Sequence, residues 1–130
     1  MLKNLSPLMS GALLHALDDA PRGAWIAIVS SDHVVADGIR LEADAVEGVV
    51  MALLAVTPLD ADAPIVIEGE SELTDIAFAV AGLAADAEGH RFDVLPVSDA
   101  AFGALTTVSR VTVVIETMDH FGFLLCKGRC

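Results

Sequence analysis

The chain has 130 residues, which fits one domain, 1–130, with a sizeable core. Seven basic residues against nineteen acidic ones give a net charge of −12, which argues against nucleic acid and anionic membranes as partners, since both attract basic patches. Hydrophobic residues make up 55 % and the mean hydropathy is +0.65, yet the longest apolar stretch, 48–59, falls short of the roughly 20 residues a helical membrane span requires.

Taken in chain order, Ser10 reads as an N-cap for a helix over 11–17, with Leu13, Leu14 and Leu17 on one face. Asp18-Asp19-Ala20-Pro21 stops it, because proline cannot continue a helix. Residues 24–29 are a continuous apolar run, the pattern of a strand buried on both faces. Residues 30–38 read as loop. A second helix is expected over 44–54, with Val46, Val49, Val50, Leu53 and Leu54 at helical spacing. A second buried strand follows at 64–67, and Glu68-Gly69-Glu70-Ser71 reads as a turn. Thr74 caps a helix over 75–85, 92–95 form a shorter strand, and Ser98 caps a helix over 99–108. Strands over 111–115 and 121–126 end the chain, joined by the polar stretch 116–120. This alternation predicts an α/β fold: a mostly parallel sheet with helices on both faces.

The start lacks the basic lead and unbroken apolar core of a signal peptide, so a cytoplasmic protein is expected. The surplus apolar surface is expected to be hidden in a homo-oligomer. No Gly-rich phosphate loop, H-E-x-x-H or G-x-S-x-G occurs. Cys126 and Cys130 form a C-x-x-x-C pair with no zinc spacing around them, and His120 does not complete one. They read as one strand cysteine and one tail cysteine, both reduced; no metal is expected.

Met1-Leu2-Lys3-Asn4-Leu5-Ser6-Pro7-Leu8-Met9-Ser10, followed by Leu13, Leu14 and Leu17, resembles the start of the D-ribose pyranase / L-fucose mutarotase (RbsD/FucU) family. That start commonly reads M-L-K-x-I-S-P-L-[IL]-S-P-x-L-L-x-x-L. The stretch 40–54 with Pro58, Leu59 and Asp60 is similar to the family's loop-helix-turn segment. The tail Phe121-Gly122-Phe123-Leu124-Leu125-Cys126-Lys127-Gly128 is similar to its Y-G-N-[IV]-[IL]-L-K-K-G. The resemblance implies a small α/β subunit in a large ring, typically a decamer, with ligand sites at subunit boundaries. It also implies interconversion of sugar ring forms or anomers without metal or organic cofactor.

The match departs from the family at its chemical positions. Pro21-Arg22-Gly23-Ala24 stands where the family has G-H-G-D, so Arg22 replaces a histidine and Ala24 an aspartate. Ser30, or Ser31 after a one-residue shift, stands where the family has an acid. The same shift places His33 on the histidine of D-A-H-F-P. Phe121 and Phe123 replace a tyrosine and an asparagine, which makes the expected pocket more apolar and favours a ligand less polar than a free sugar. Hemiacetal opening needs a base for the anomeric hydroxyl and an acid for the ring oxygen. Imidazole can serve as both, whereas guanidinium stays protonated.

His33 and Asp32 are therefore the candidate acid–base pair, against the plain alternative of a solvated loop. Arg22 is the candidate for stabilising developing negative charge, against a surface arginine in a turn. Ser30, Ser31, His120, Phe121 and Phe123 complete the set as candidate ligand contacts, although alternation aims His120 opposite to Phe121, which suits a structural or interfacial place. His15 and His90 read as surface residues, and Arg110 as a partner for an acidic neighbour. The resulting expectation is a divergent mutarotase-like enzyme working by acid–base chemistry on a small cyclic or ring-closing ligand less polar than a free sugar. The alternatives are an inactive ligand-binding or oligomeric scaffold, and a residual sugar mutarotase or pyranase.

Overall fold

In the computed structural model, which describes residues 11–33, 38–42, 46–60, 62–69, 75–116 and 121–128, the chain order is α1 (Gly11–Asp19), β1 (Trp25–Ser30), β2 (Ile39–Glu42), α2 (Val46–Val56), β3 (Ile65–Glu68), α3 (Asp75–Glu88), β4 (Val94–Val97), α4 (Asp99–Thr107), β5 (Val111–Glu116) and β6 (Gly122–Cys126). The six strands form one sheet in the order β2-β5-β1-β6-β3-β4. Five run the same way. Only β6 is reversed, lying antiparallel to both β1 and β3. The expectation of a mostly parallel α/β sheet holds.

Strand alternation divides the core into two layers. Ile26 and Ile28 of β1, Ile65 and Ile67 of β3, and Phe123 and Leu125 of β6 pack under α1, α2 and α3, against Leu13, Leu17, Val49, Leu53, Val80 and Ala84. Ala27, Val29, Val66, Val114 and Leu124 face the other way and meet Phe102 of α4. Burial on both faces explains why β1 and β6 read as unbroken apolar runs rather than alternating ones. Helix α4 begins as its sequence predicts, with the Ser98 hydroxyl accepting from Ala101 N at 3.1 Å. The two other caps expected from sequence, Ser10 and Thr74, lie outside the described residues.

Strand β2 was not anticipated, because the sequence there reads as loop running towards the second helix. Ile39-Arg40-Leu41-Glu42 has only four residues, and two carry charge. An edge strand needs only one neighbour and one apolar face, and charge on it discourages further pairing. It pairs with β5 alone, and Arg40 reaches Glu116 on that strand at 3.1 Å.

At the other end of the sheet, α1 finishes on Asp18 and Asp19 with no basic residue in its last turn. Acids there oppose the helix dipole. Lys127, directly after β6, supplies the missing cation. Its buried Nζ donates to the carbonyls of Leu17 at 2.6 Å and Ala20 at 2.8 Å, with Asp18 at 3.5 Å. The following turn needs Gly23, whose φ of 87° suits glycine.

Candidate functional site

Strand β1 ends at Ser30, and the chain turns at once through Ser31, Asp32 and His33. The turn is closed by His33 N donating to Ser30 O at 3.1 Å. It sits at the carboxyl edge of the parallel strands, where open α/β sheets usually present their ligand sites.

Ser30 is fully buried and bridges two strands. Its Oγ accepts from Phe121 N at 3.1 Å, while its own N donates to Phe121 O at 3.1 Å. This ties the end of β1 to the beginning of β6. The same hydroxyl contacts the Asp32 carboxylate and lies 3.2 Å from His33 Nδ1. Ser31 is half-buried beside it.

The His33 ring is shielded, with its side chain 13 % exposed, and is engaged on both edges. Nδ1 lies 3.1 Å from the Ser30 carbonyl and 3.5 Å from Asp32 Oδ1. Nε2 lies 2.9 Å from Oε1 of Glu68, the last residue of β3. The Glu68 side chain is 7 % exposed, whereas that of Asp32 is 57 % exposed. Phe102 of α4 meets the imidazole edge-on, at 5.9 Å between centroids and 62° between planes. Three ionisable groups thus stand in a row from solvent inward: Asp32, His33, Glu68. Such a row can pass a proton between a ligand at the rim and a shielded acid.

Glu68 was missed from sequence, where it reads as the first residue of a turn. The available signal was its place at the end of the buried run of β3, equivalent to that of Ser30 at the end of β1. Its pairing with a histidine 35 positions earlier has no local signature.

The remaining sequence-predicted residues fall elsewhere. Arg22 is exposed in the turn before β1, at the opposite edge of the sheet, so within one chain it does not meet His33. The six-residue strand between them spans about 17 Å at ~3.3 Å per residue. Arg22 lines a cleft of about 300 Å³ with Pro58, Leu59, Asp60, Asp62, Glu88 and Gly128.

Phe121 and Phe123 are expected from sequence to make a ligand pocket apolar. Instead they are 5 % and 2 % exposed and stack at 5.6 Å within the layer under α1–α3. Inward alternation on a strand covered on both faces makes them core residues of this chain. The argument for a less polar ligand therefore loses its support from these two rings. His120 and Cys130 lie outside the described residues. Cys126 is buried, and burial, reinforced by Asp60, pushes its thiol pKa above the ordinary range. His15 is exposed as expected, while His90 is half-buried with its ring 4.5 Å from that of Phe92. Arg110 pairs with Asp19 at 3.3 Å on the surface. Among the described residues no cluster of three ligating side chains could hold a metal, and no helix is long and apolar enough to cross a membrane.

No protein-family model and no curated protein matches the sequence. Solved structures do match. The chain is similar to Atu2016, a candidate sugar binding protein, with a TM-score of 0.88 and 23 % identity over 100 % of this chain and 97 % of that one. It is similar to the fucose mutarotase of Streptococcus pneumoniae, solved with L-fucose, with a TM-score of 0.79 and 21 % identity over 99 % of both chains. It is also similar to Bacillus subtilis RbsD, solved with D-ribose, with a TM-score of 0.74 and 17 % identity over 94 % of this chain and 95 % of that one. The chain has the RbsD/FucU fold.

Proposed function

We propose that this chain, built on the RbsD/FucU fold, is a mutarotase-like isomerase that opens and recloses a small cyclic hemiacetal by acid–base chemistry. The observation that carries the reading is the Asp32–His33–Glu68 row at the carboxyl edge of β1 and β3. Asp32, at the rim, takes the proton of the anomeric hydroxyl. The electron pair left on that oxygen forms the carbonyl as the bond from the anomeric carbon to the ring oxygen breaks. The His33 ring delivers its Nδ1 proton, on the Asp32 side of the ring, to the ring oxygen and recovers it there on reclosure, with Nε2 held on Glu68 throughout. Reclosure on the other face of the carbonyl reverses both transfers, so the reaction is neutral in atoms and electrons and needs no cofactor. The groups nearest the rim are polar (Ser31, Asp32 and His33), which favours a hydroxyl-bearing ring over the less polar ligand inferred from the tail phenylalanines.

Arg22 keeps its proposed role only if a second copy of the chain brings it to the site, because its own His33 lies at the far edge. This favours a homo-oligomer, up to the decamer implied by the resemblance, with sites at subunit boundaries. The exposed side chains of Met51, Phe78, Leu95 and Val108 support self-association of a cytoplasmic protein.

The test is NMR exchange between the anomers of L-fucose and of D-ribose, with and without protein. The expected result is accelerated exchange of at least one sugar, cut by about 10²–10⁴ in His33→Ala. Equal exchange in wild type and His33→Ala would overturn the reading. A second reading, a non-catalytic binding or oligomeric scaffold, draws on one observation: both His33 nitrogens are already engaged by the protein. It predicts sugar binding, or stable oligomers, with no acceleration at all.

A further inference from the structure

His33 is held by more than its neighbours in sequence. The Ser30 carbonyl can only accept, so the Nδ1 facing it at 3.1 Å carries a proton. The opposite nitrogen faces the Glu68 carboxyl group at 2.9 Å. Turning the ring over would place carbons against both oxygens, so the two contacts together select one orientation. Burying a carboxyl group is costly unless it is paired, and the imidazole provides that pairing.

A third constraint comes from β6. A Cβ added at Gly122 would lie 2.6 Å from two atoms of the Phe102 ring and 3.4 Å from the Glu68 Cβ. The missing side chain is what lets Phe102 lie flush against the strand, and that ring in turn meets the His33 imidazole. Gly122, Phe102 and Glu68 thus come from β6, α4 and β3 to hold a residue that follows β1.

We propose that Glu68 is a positioning residue for His33, setting the imidazole's orientation and proton placement without touching the ligand, on a platform that Gly122 makes room for. This deepens the proton-transfer reading of His33 and rests on it for its catalytic consequence.

The experiment compares wild type, Glu68→Gln and Glu68→Asp by long-range ¹⁵N–¹H correlation of the His33 ring, alongside anomer exchange of L-fucose and D-ribose. Gln keeps the shape and can still hydrogen-bond, but it removes the charge. The expected result is a wild-type ring protonated at Nδ1, altered ¹⁵N shifts in Glu68→Gln, and an approximately 10²-fold lower kcat with KM within about twofold. Glu68→Asp should recover part of both signals. A Glu68→Gln ring spectrum identical to wild type overturns the positioning role, whatever the activity. Should Glu68→Gln not fold, the wild-type spectrum decides alone, because a ring lacking a proton at Nδ1 also overturns it. Wild type without exchange but with a Glu68-dependent ring spectrum keeps the positioning role and rejects the enzyme.

Discussion

The two edges of the sheet use charge in opposite ways. At the amino edge, Lys127 is buried and committed to backbone carbonyls at the end of α1, while Arg22 stands exposed over a cleft. At the carboxyl edge, His33 and Glu68 are shielded and face each other, with Asp32 beside them at the rim. A cation satisfied by main-chain dipoles stabilises a helix end. An imidazole between two carboxyl groups instead faces side chains that can themselves hold or release a proton. The contrast teaches that burial alone does not mark a functional charge; what surrounds the group decides.

The largest effect should come from breaking the amino edge. Lys127→Met strips two short charge-assisted hydrogen bonds from buried carbonyls, at ~1.5–3 kcal/mol each, so unfolding stability should fall by about 3–6 kcal/mol. Urea denaturation measures this, and the His33 ring spectrum of the folded fraction should stay as in wild type. Gly122→Ala tests the carboxyl edge. Overpacking against Phe102 should cost about 1–3 kcal/mol and, unlike the lysine change, should move the His33 resonances.

A smaller effect is expected at Cys126, again on the amino side. Its folded pKa is raised by burial and by Asp60. The folded state therefore holds the thiol proton more tightly than the unfolded chain does. The resulting stability is complete below the unfolded thiol pKa and is lost as pH rises towards the folded one. Denaturation midpoints should decline on the alkaline side in wild type, and less steeply in Cys126→Ala. Smallest of all, Arg22→Ala should change stability by less than about 0.5 kcal/mol, as for an exposed side chain, and leave the His33 spectrum untouched. A lowered exchange rate in the same variant would then mean that Arg22 acts across a subunit boundary.

Much of the fold was legible because it is written in local patterns. The apolar runs of β1, β3 and β6, the largely apolar β5, the stop at Pro21 and the Ser98 cap each need only neighbouring residues to be read. Strand β2 was not legible, since four residues of mixed charge acquire strand structure only from β5 beside them. The site was half legible. Asp32 and His33 stand out as acid–base residues after a strand. Glu68 does not, because a long-range partner leaves no mark on its own segment. The tail phenylalanines show a related limit: replacing polar residues with aromatic ones reads as a changed pocket, whereas alternation and both-sided burial place the two rings in the core of this chain.

The single reversed strand bears on how the molecule folds. β2-β5-β1 and β3-β4 share no strand pair, and β6 alone bridges them through β1 on one side and β3 on the other. Each half can begin to assemble, yet neither can complete its ladder until the most C-terminal of the described strands has slotted between them. Non-local pairings of this kind slow folding, because loop entropy is spent before the contacts are gained. The barrier should therefore be governed by the docking of β6, and the Asp32–His33–Glu68 row should form in the same step, since Phe121 and Gly122 complete the carboxyl edge.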